Sequence, residues 1–355
     1  MSKFLKKCYS GLKSYVPGEQ PKDGEYIKLN TNESPFPPSK GVINAVNSEE
    51  VKKLRLYSDP TGSSLKEKIA ELYGVKSENV YLANGSDDIL NFSFMAFSGE
   101  SGEAVYPQIS YGFYKVYAAL YGIKAEEIPL KEDFSIDYKD YLYKNKFTVI
   151  ANPNAPTGLT LSLSEIEEIV KTNKENVVVI DEAYIDFGGE SAVPLTEKYD
   201  NLLISMTFSK SRCMAGARLG FAIGNKELIR DLELIKYSTN PYNINRLTLI
   251  AGEAAIIDNS YYAEKCREII KNREYTAKEL KRLGFKLTDS KANFVFAESD
   301  KIDGETLYKK LKDRKILVRH FSTPKIKNYN RITVGTKEQM EALIKNVSEI
   351  LEEVK

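Results

Sequence analysis

Between residues 79 and 224, short apolar runs alternate with longer stretches in which apolar residues return every three or four positions. The runs are NVYLA (79–83), GEAVYP (102–107), FTVIANP (147–153), NVVVIDEAY (176–184), NLLISMTFS (201–209) and LGFAIG (219–224). Between them, stretches such as SYGFYKVYAALYG and SEIEEIVKTN carry helical spacing. This alternation predicts parallel βαβ units in a large α/β domain. Ser64 in TGSS and Ser86 in NGSD are the expected N-caps of two of its helices. After about residue 240 the pattern changes to one long helical region, then short strands (FKLTDSKANFVFAE, KILVRHF, NRITVGT) and an amphipathic C-terminal helix. The proline-rich NESPFPPS can be neither helix nor central strand and predicts an extended arm. The expected division is an N-terminal arm over 1–40 that belongs with a smaller α+β domain at 241–355, and a large domain over 41–240.

Composition narrows the chemistry. The 355 residues carry a formal net charge of +1, which gives no basic field for nucleic acid or an anionic membrane. MSKFLKKCYSGLKSY lacks an apolar core of signal length and no later window is long enough to span a bilayer, so a cytoplasmic protein is expected. Cys8, Cys213 and Cys266 are too scattered for a disulfide framework or zinc spacing, and Cys213 and Cys266 read as small buried hydrophobes. The single histidine, His320, disfavours serine and cysteine hydrolases and multi-histidine metal sites. Difficult chemistry must then come from carboxylates, lysine, tyrosine or a cofactor.

In doubly wound sheets, ligands bind beyond the carboxyl ends of the strands. NGSDDIL, after VYLA, is a glycine turn into a helix N-terminus, which favours a phosphate. It has neither GxGxxG nor GxxxxGKS, so a lone phosphate group suits it better than a nucleotide. VVVI predicts a strand buried on both faces, with Asp181 at its carboxyl end, where a carboxylate must be capped, paired or hold a cation. LLISMTFSK ends in Thr207, Ser209 and Lys210, and burial at a sheet rim lowers a lysine toward the neutral amine of a Schiff-base nucleophile. With Arg218 eight residues on, the set suits pyridoxal 5′-phosphate (PLP), which needs a lysine for its aldehyde, an anion near its ring nitrogen and donors for its phosphate.

In order along nearly the whole chain, LNTNESPFPPS, LYSDPTGSSLKEKIAELYGV, NGSDDIL, NPNAPTG, DEAYIDF, TFSKSRCMAGARLGF and RITVGT resemble the motifs of fold-type I PLP enzymes, and specifically of histidinol-phosphate aminotransferases. The resemblance implies a mostly parallel seven-stranded sheet flanked by helices, plus a smaller α+β domain. It implies that Lys210 forms the Schiff base and shuttles the substrate proton, that Asp181 keeps the pyridine nitrogen protonated, and that Tyr184 bonds the ring oxygen. Tyr111, with Tyr114 as the alternative, would stack on the ring. Ser86, Asp87 (through main-chain amides), Thr207, Ser209 and Arg218 would hold the phosphate, joined by Tyr57 of a second subunit, so that a homodimer is implied. Asn32, Arg331 and Arg319 fall on the substrate side, where a guanidinium pairs with a carboxylate or phosphate. The family's asparagine before PTG is Ala155 here, and Asn154, one position earlier, is the expected replacement. The implied activity is transamination of L-histidinol phosphate with 2-oxoglutarate. An aromatic amino-acid aminotransferase or a threonine-phosphate decarboxylase would share the fold. A non-catalytic regulatory module would carry a DNA-binding extension, which is not expected here.

Overall fold

The computed structural model describes residues 2–13, 15–100 and 102–354. Its strands are β1 (Ile27–Lys28), β2 (Val80–Ala83), β3 (Glu103–Pro107), β4 (Lys124–Ile128), β5 (Phe147–Ala151), β6 (Val178–Asp181), β7 (Leu202–Thr207), β8 (Gly220–Gly224), β9 (Phe285–Leu287), β10 (Phe294–Ser299), β11 (Ile316–Leu317), β12 (Arg319–His320) and β13 (Asn330–Thr333). The helices are α1 (Lys40–Ala45), α2 (Ser48–Lys52), α3 (Ser63–Tyr73), α4 (Ser86–Phe97), α5 (Phe113–Tyr121), α6 (Leu163–Thr172), α7 (Lys226–Thr239), α8 (Arg246–Ile257), α9 (Asn259–Leu283), α10 (Gly304–Asp313) and α11 (Lys337–Glu353).

β2 to β8 form one sheet in the order β2-β8-β7-β6-β5-β3-β4. Only β8 runs against its neighbours. Every residue of β5, β6 and β7 is buried. Because successive side chains point to opposite faces, Ile150, Ile180 and Ile204 enter one core with α3, α6 and α8, while Val149, Val179 and Leu203 enter another with α4, α5 and α7. Two-sided burial is why these strands read as continuous apolar runs. β4 does not: KAEEI is a half-exposed edge strand, and the apolar pattern misses it.

A four-stranded antiparallel sheet, β12-β13-β10-β9, and the short parallel pair β1–β11 form a second unit. Val295 and Ile332 pack there against Leu343 and Val347 of α11. Capping boxes start α6 (Ser162 with Glu165) and α11 (Thr336 with Gln339). The arm joins the second unit where Ile27 pairs with Ile316. Ile244, Leu249, Ala255 and Tyr262 pack into the large-sheet core, and Cys266, Ile269 and Leu280 of α9 pack with the second unit.

The expected caps Ser64 and Ser86 are corrected. Both serines lie inside their helices, which start at Ser63 and Ser86, and the cap positions are Gly62 (φ 57°) and Gly85 (φ 83°). At the first of these, Asp59 accepts from the Ser63 amide in place of a serine cap. Among the described residues no helix is long and apolar enough to cross a membrane.

Candidate active site

β6 and β7 run parallel, with Asp181 beside Ser205, so Asp181 and Thr207 emerge at the same edge of the sheet. Beyond that edge lies a cleft with two chambers, an inner one of about 470 Å³ and an outer one of about 760 Å³. Thr31, Tyr111, Ala155, Tyr184 and Lys210 line both.

A tight turn holds Lys210. The Ser209 amide donates to Thr207 Oγ1 at 3.1 Å, and the Cys213 amide to the Lys210 carbonyl at 3.2 Å. Lys210 Nζ then reaches across the cleft to the Thr31 carbonyl at 3.2 Å and lies 5.9 Å from the centre of the Tyr184 ring. Tyr184 Oη accepts from Asn32 Nδ2 at 2.9 Å, and Asn32 Oδ1 accepts from Thr333 Oγ1 at 3.0 Å.

At the inner end, no side chain among the described residues caps the first amides of α4, which leaves them free for an anion. Thr207 and Ser209 share a hydrogen bond of 3.0 Å beside them. Arg218 adopts the left-handed region (φ 55°), which aims its guanidinium at Asp87 of that helix end, 2.7 Å away. Gly85 makes room, since a Cβ there would sit 2.6 Å from Arg218 Nη2. Gly220 supports the turn from below, where a Cβ would meet Gly85 C and Ser86 N at 2.5 Å.

Asp181 is buried with no cationic side chain against it among the described residues, accepting from Tyr114 Oη at 2.9 Å and from the Ala183 amide at 3.3 Å. A buried carboxylate with no positive partner is costly, and a protonated ring nitrogen is the partner it lacks. The residues present therefore fit PLP: a lysine, a strand-end anion and a phosphate cradle surround one chamber.

Residues 24–347 match the family described as Aminotransferase class I and II. The chain belongs to that family. It is 52% identical to the histidinol-phosphate aminotransferase of Brachyspira hyodysenteriae, covering 99% of each chain. It is 48% identical to that of Clostridium acetobutylicum, covering 99% of this chain and all of the other. Its fold is similar to the crystal structure of histidinol-phosphate aminotransferase from Sinorhizobium meliloti in complex with pyridoxal-5′-phosphate, with a TM-score of 0.90 at 20% identity over 100% and 99% of the two chains.

In this aminotransferase, burial, followed by the charge of Arg331, brings Lys210 down from 10.5 to about 8. The amine is therefore substantially neutral in mildly alkaline solution. Burial pushes Asp181 up to about 6, against the opposing hydrogen bond from Tyr114. Burial likewise holds Arg331 below the ordinary guanidinium range.

The outer chamber is cationic. Strand register sets Arg319 directly opposite Arg331, and like charges so placed repel unless an anion lies between them. Arg331 donates from Nη2 to the Asn30 carbonyl at 3.1 Å, while its Nε is buried without a partner among the described residues. Phe294 and Phe321 flank the guanidinium at 5.4 and 5.9 Å. Arg319 holds the arm, donating to the Val16 and Pro17 carbonyls.

Ser86, Asp87, Tyr111, Asp181, Tyr184, Thr207, Ser209, Lys210 and Arg218 thus meet in the inner chamber, and Asn32, Arg319 and Arg331 in the outer. The Asp87 side chain accepts from Tyr111 Oη at 2.7 Å. Tyr111 faces the cleft, whereas Tyr114 is fully buried behind Asp181. Asn154 lies elsewhere. Its amide is consumed by the Ile109 carbonyl and Thr157, its oxygen by Ser110, and Ala155 is what faces the cleft. Tyr57 is 80% exposed, stacked on Tyr242 at 4.4 Å, outside its own chain's cleft.

Several site residues escaped the sequence reading. Thr31 supplies its carbonyl to Lys210, and no side-chain pattern signals a carbonyl. Tyr15 packs against Phe113, ring centres 4.4 Å apart and tilted by 30°, at the rim of the outer chamber, from an arm segment with no periodicity. Tyr114 as the support of Asp181 was detectable only as the neighbour of Tyr111.

Proposed function

We propose that this aminotransferase moves the amino group of L-histidinol phosphate to 2-oxoglutarate with PLP held in the inner chamber. The observation that carries the reading is the pairing of a lysine–aspartate–phosphate-cradle chamber with a second chamber built around two facing guanidinium groups. Relatives named histidinol-phosphate aminotransferase at 46–52% identity over 99% of this chain support the choice of substrate.

PLP, when bound, supplies an electron sink for charge at the substrate α-carbon. The chain's residues do the rest. Asp181 holds the ring nitrogen protonated. Tyr184, oriented by Asn32, donates to the ring oxygen. The α4 amides, Thr207, Ser209 and Arg218 bind the cofactor phosphate. With PLP bound, Lys210 would take and return the proton at the substrate α-carbon, work that an amine lowered to about 8 suits. Arg331, with Arg319, binds the substrate phosphate in one half-reaction and a carboxylate of glutamate or 2-oxoglutarate in the other. One site serving two substrates in turn gives ping-pong kinetics.

We further propose a homodimer. Val51, Leu54, Leu56 and Tyr57 are all exposed on one short stretch, an apolar surface that a second copy would cover while delivering Tyr57 to the neighbouring phosphate cradle.

Steady-state assays of the PLP-loaded protein with L-histidinol phosphate, L-phenylalanine and O-phosphothreonine test the reading. The expected result is a kcat/KM highest for L-histidinol phosphate, and a higher value for phenylalanine overturns the substrate assignment. A Lys210→Ala variant with the visible absorbance of the parent overturns the role of the lysine.

A further inference from the structure

Arg273, in the middle of α9, is a buried guanidinium outside the cleft. From one nitrogen, Nη1, it donates to the Phe187 carbonyl at 2.8 Å and to the Ala292 carbonyl at 2.7 Å. Those carbonyls lie on segments from different units. Phe187 is three residues past Tyr184, at the carboxyl end of β6, and Ala292 is two residues before Phe294, at the start of β10. The rings of Tyr184 and Phe294 meet edge-to-face at 5.2 Å. The residue between Ala292 and Phe294, Asn293, donates to the Asn32 carbonyl at 3.0 Å, and Asn32 in turn donates to Tyr184 Oη. The contacts close a ring: Arg273 grips both segments from behind, while Asn293, Asn32, Phe294 and Tyr184 join them at the cleft.

Gly188 completes the seat. It holds φ 139°, a region that favours glycine, and a Cβ there would stand at ordinary contact distance, 3.4 Å, from Arg273 Nη2. A guanidinium stays charged when buried and offers donors in a fixed plane, which an ammonium on a flexible stem does not reproduce.

We propose that Arg273 is a positioning residue for Tyr184: by tying the Phe187 and Ala292 carbonyls together it sets where the phenol stands against the cofactor and against Asn32. This rests on the reading of Tyr184 as a donor to the PLP ring oxygen. A phenol displaced by a fraction of an ångström loses that bond in the reacting geometry while the chamber that binds substrate keeps its two arginines.

The test is a double-mutant cycle of Arg273→Lys with Tyr184→Phe in the PLP-loaded enzyme. It follows kcat, KM for L-histidinol phosphate, the pH midpoint of the visible absorbance, and thermal stability. Parent enzyme that neither binds PLP nor turns over L-histidinol phosphate refutes the functional reading itself, separately from the role of Arg273. With an active parent, Arg273→Lys is expected to lower kcat about tenfold with little change in KM, and to move the absorbance midpoint in the same direction as Tyr184→Phe. In the Tyr184→Phe background it is expected to change kcat by less than about twofold. Equal losses in both backgrounds, or a lower melting temperature with an unmoved midpoint, overturn the proposal. Should Arg273→Lys fail to fold, Arg273→Gln, which removes the charge but keeps an NH2 donor, is run through the same cycle and judged by the same outcomes.

Discussion

Replacing Asp181 with asparagine separates the cost of the buried carboxylate from its use. In the ligand-free protein burial moves this carboxyl from 3.8 to about 6. A group whose folded value is raised holds its proton more tightly in the fold than in the unfolded chain. It therefore favours folding below its unfolded value and loses that advantage as pH rises through the folded one. The displacement amounts to about 3 kcal/mol of stability absent above pH 6, of which about 1 kcal/mol disappears between pH 5 and 7. The carboxamide of the Asp181→Asn variant does not titrate, so the difference in unfolding free energy between variant and parent should move in the variant's favour by about 1 kcal/mol over that interval. The Ala183 amide, 3.3 Å away, opposes an asparagine side chain if its NH2 faces it, but that offset does not vary with pH. Glu182, pushed up to about 8 by its own burial, titrates in both proteins and largely cancels. Urea titrations of the ligand-free forms at pH 5, 6 and 7 measure the difference, and one that stays flat across the range refutes the account of Asp181. In the PLP-loaded enzyme the same substitution should lower kcat on the order of 10²–10³, as for other fixed charges opposite developing charge.

Arg331→Gln removes a charge that depresses Lys210, so the lysine should rise from about 8 and hold its proton to higher pH. PLP loading followed by absorbance should then need a more alkaline medium, and KM for L-histidinol phosphate should rise on the order of 10- to 100-fold through the lost charged hydrogen bonds. Tyr57→Phe should weaken PLP binding about tenfold in an absorbance titration while sedimentation shows the dimer unchanged, because the apolar ring remains. Gly220→Ala drives a methyl into the Gly85–Ser86 backbone, 2.5 Å away, and should cost about 1–3 kcal/mol in stability together with weaker PLP binding, read by thermal melting with and without PLP.

The strands that carry the chemistry were legible because they are buried on both faces, and two-sided burial writes itself as unbroken runs such as VVVI and LLIS. β4 was not, since an edge strand has one face to satisfy and Lys124, Glu126 and Glu127 can stay in water. The starts of α3 and α4 were misplaced because left-handed glycines, helped at α3 by Asp59 as a more distant acceptor, did what a serine cap does elsewhere. At the cleft, side chains that follow a buried strand directly, Asp181 and Lys210, could be read from position alone. Asn154 could not, because whether it or Ala155 turns inward depends on the loop: Ser110, Ile109 and Thr157 claim its amide. Thr31 and Tyr15 come from segments whose place is decided by the distant strands they meet.

The bond between the Asn32 amide and Thr333 joins residues 301 positions apart, and Ile27 pairs with Ile316 in the same seam. Closing so long a loop has an entropic cost that local strand pairing does not meet, so this seam belongs among the late events of folding. During synthesis every strand of the large sheet has been made once Gly224 has emerged, with α7 and α8, which cover its two faces, still to come. At that point Lys210 and Asp181 have been made, while Asn293, Arg331 and Thr333 have not. A chain interrupted before β13 would own its nucleophile and its buried acid but lack Arg331 of the outer chamber. The residues that would receive a substrate anion thus come later in the chain than those that would hold the cofactor, and the two sets meet only when β13 pairs with β10.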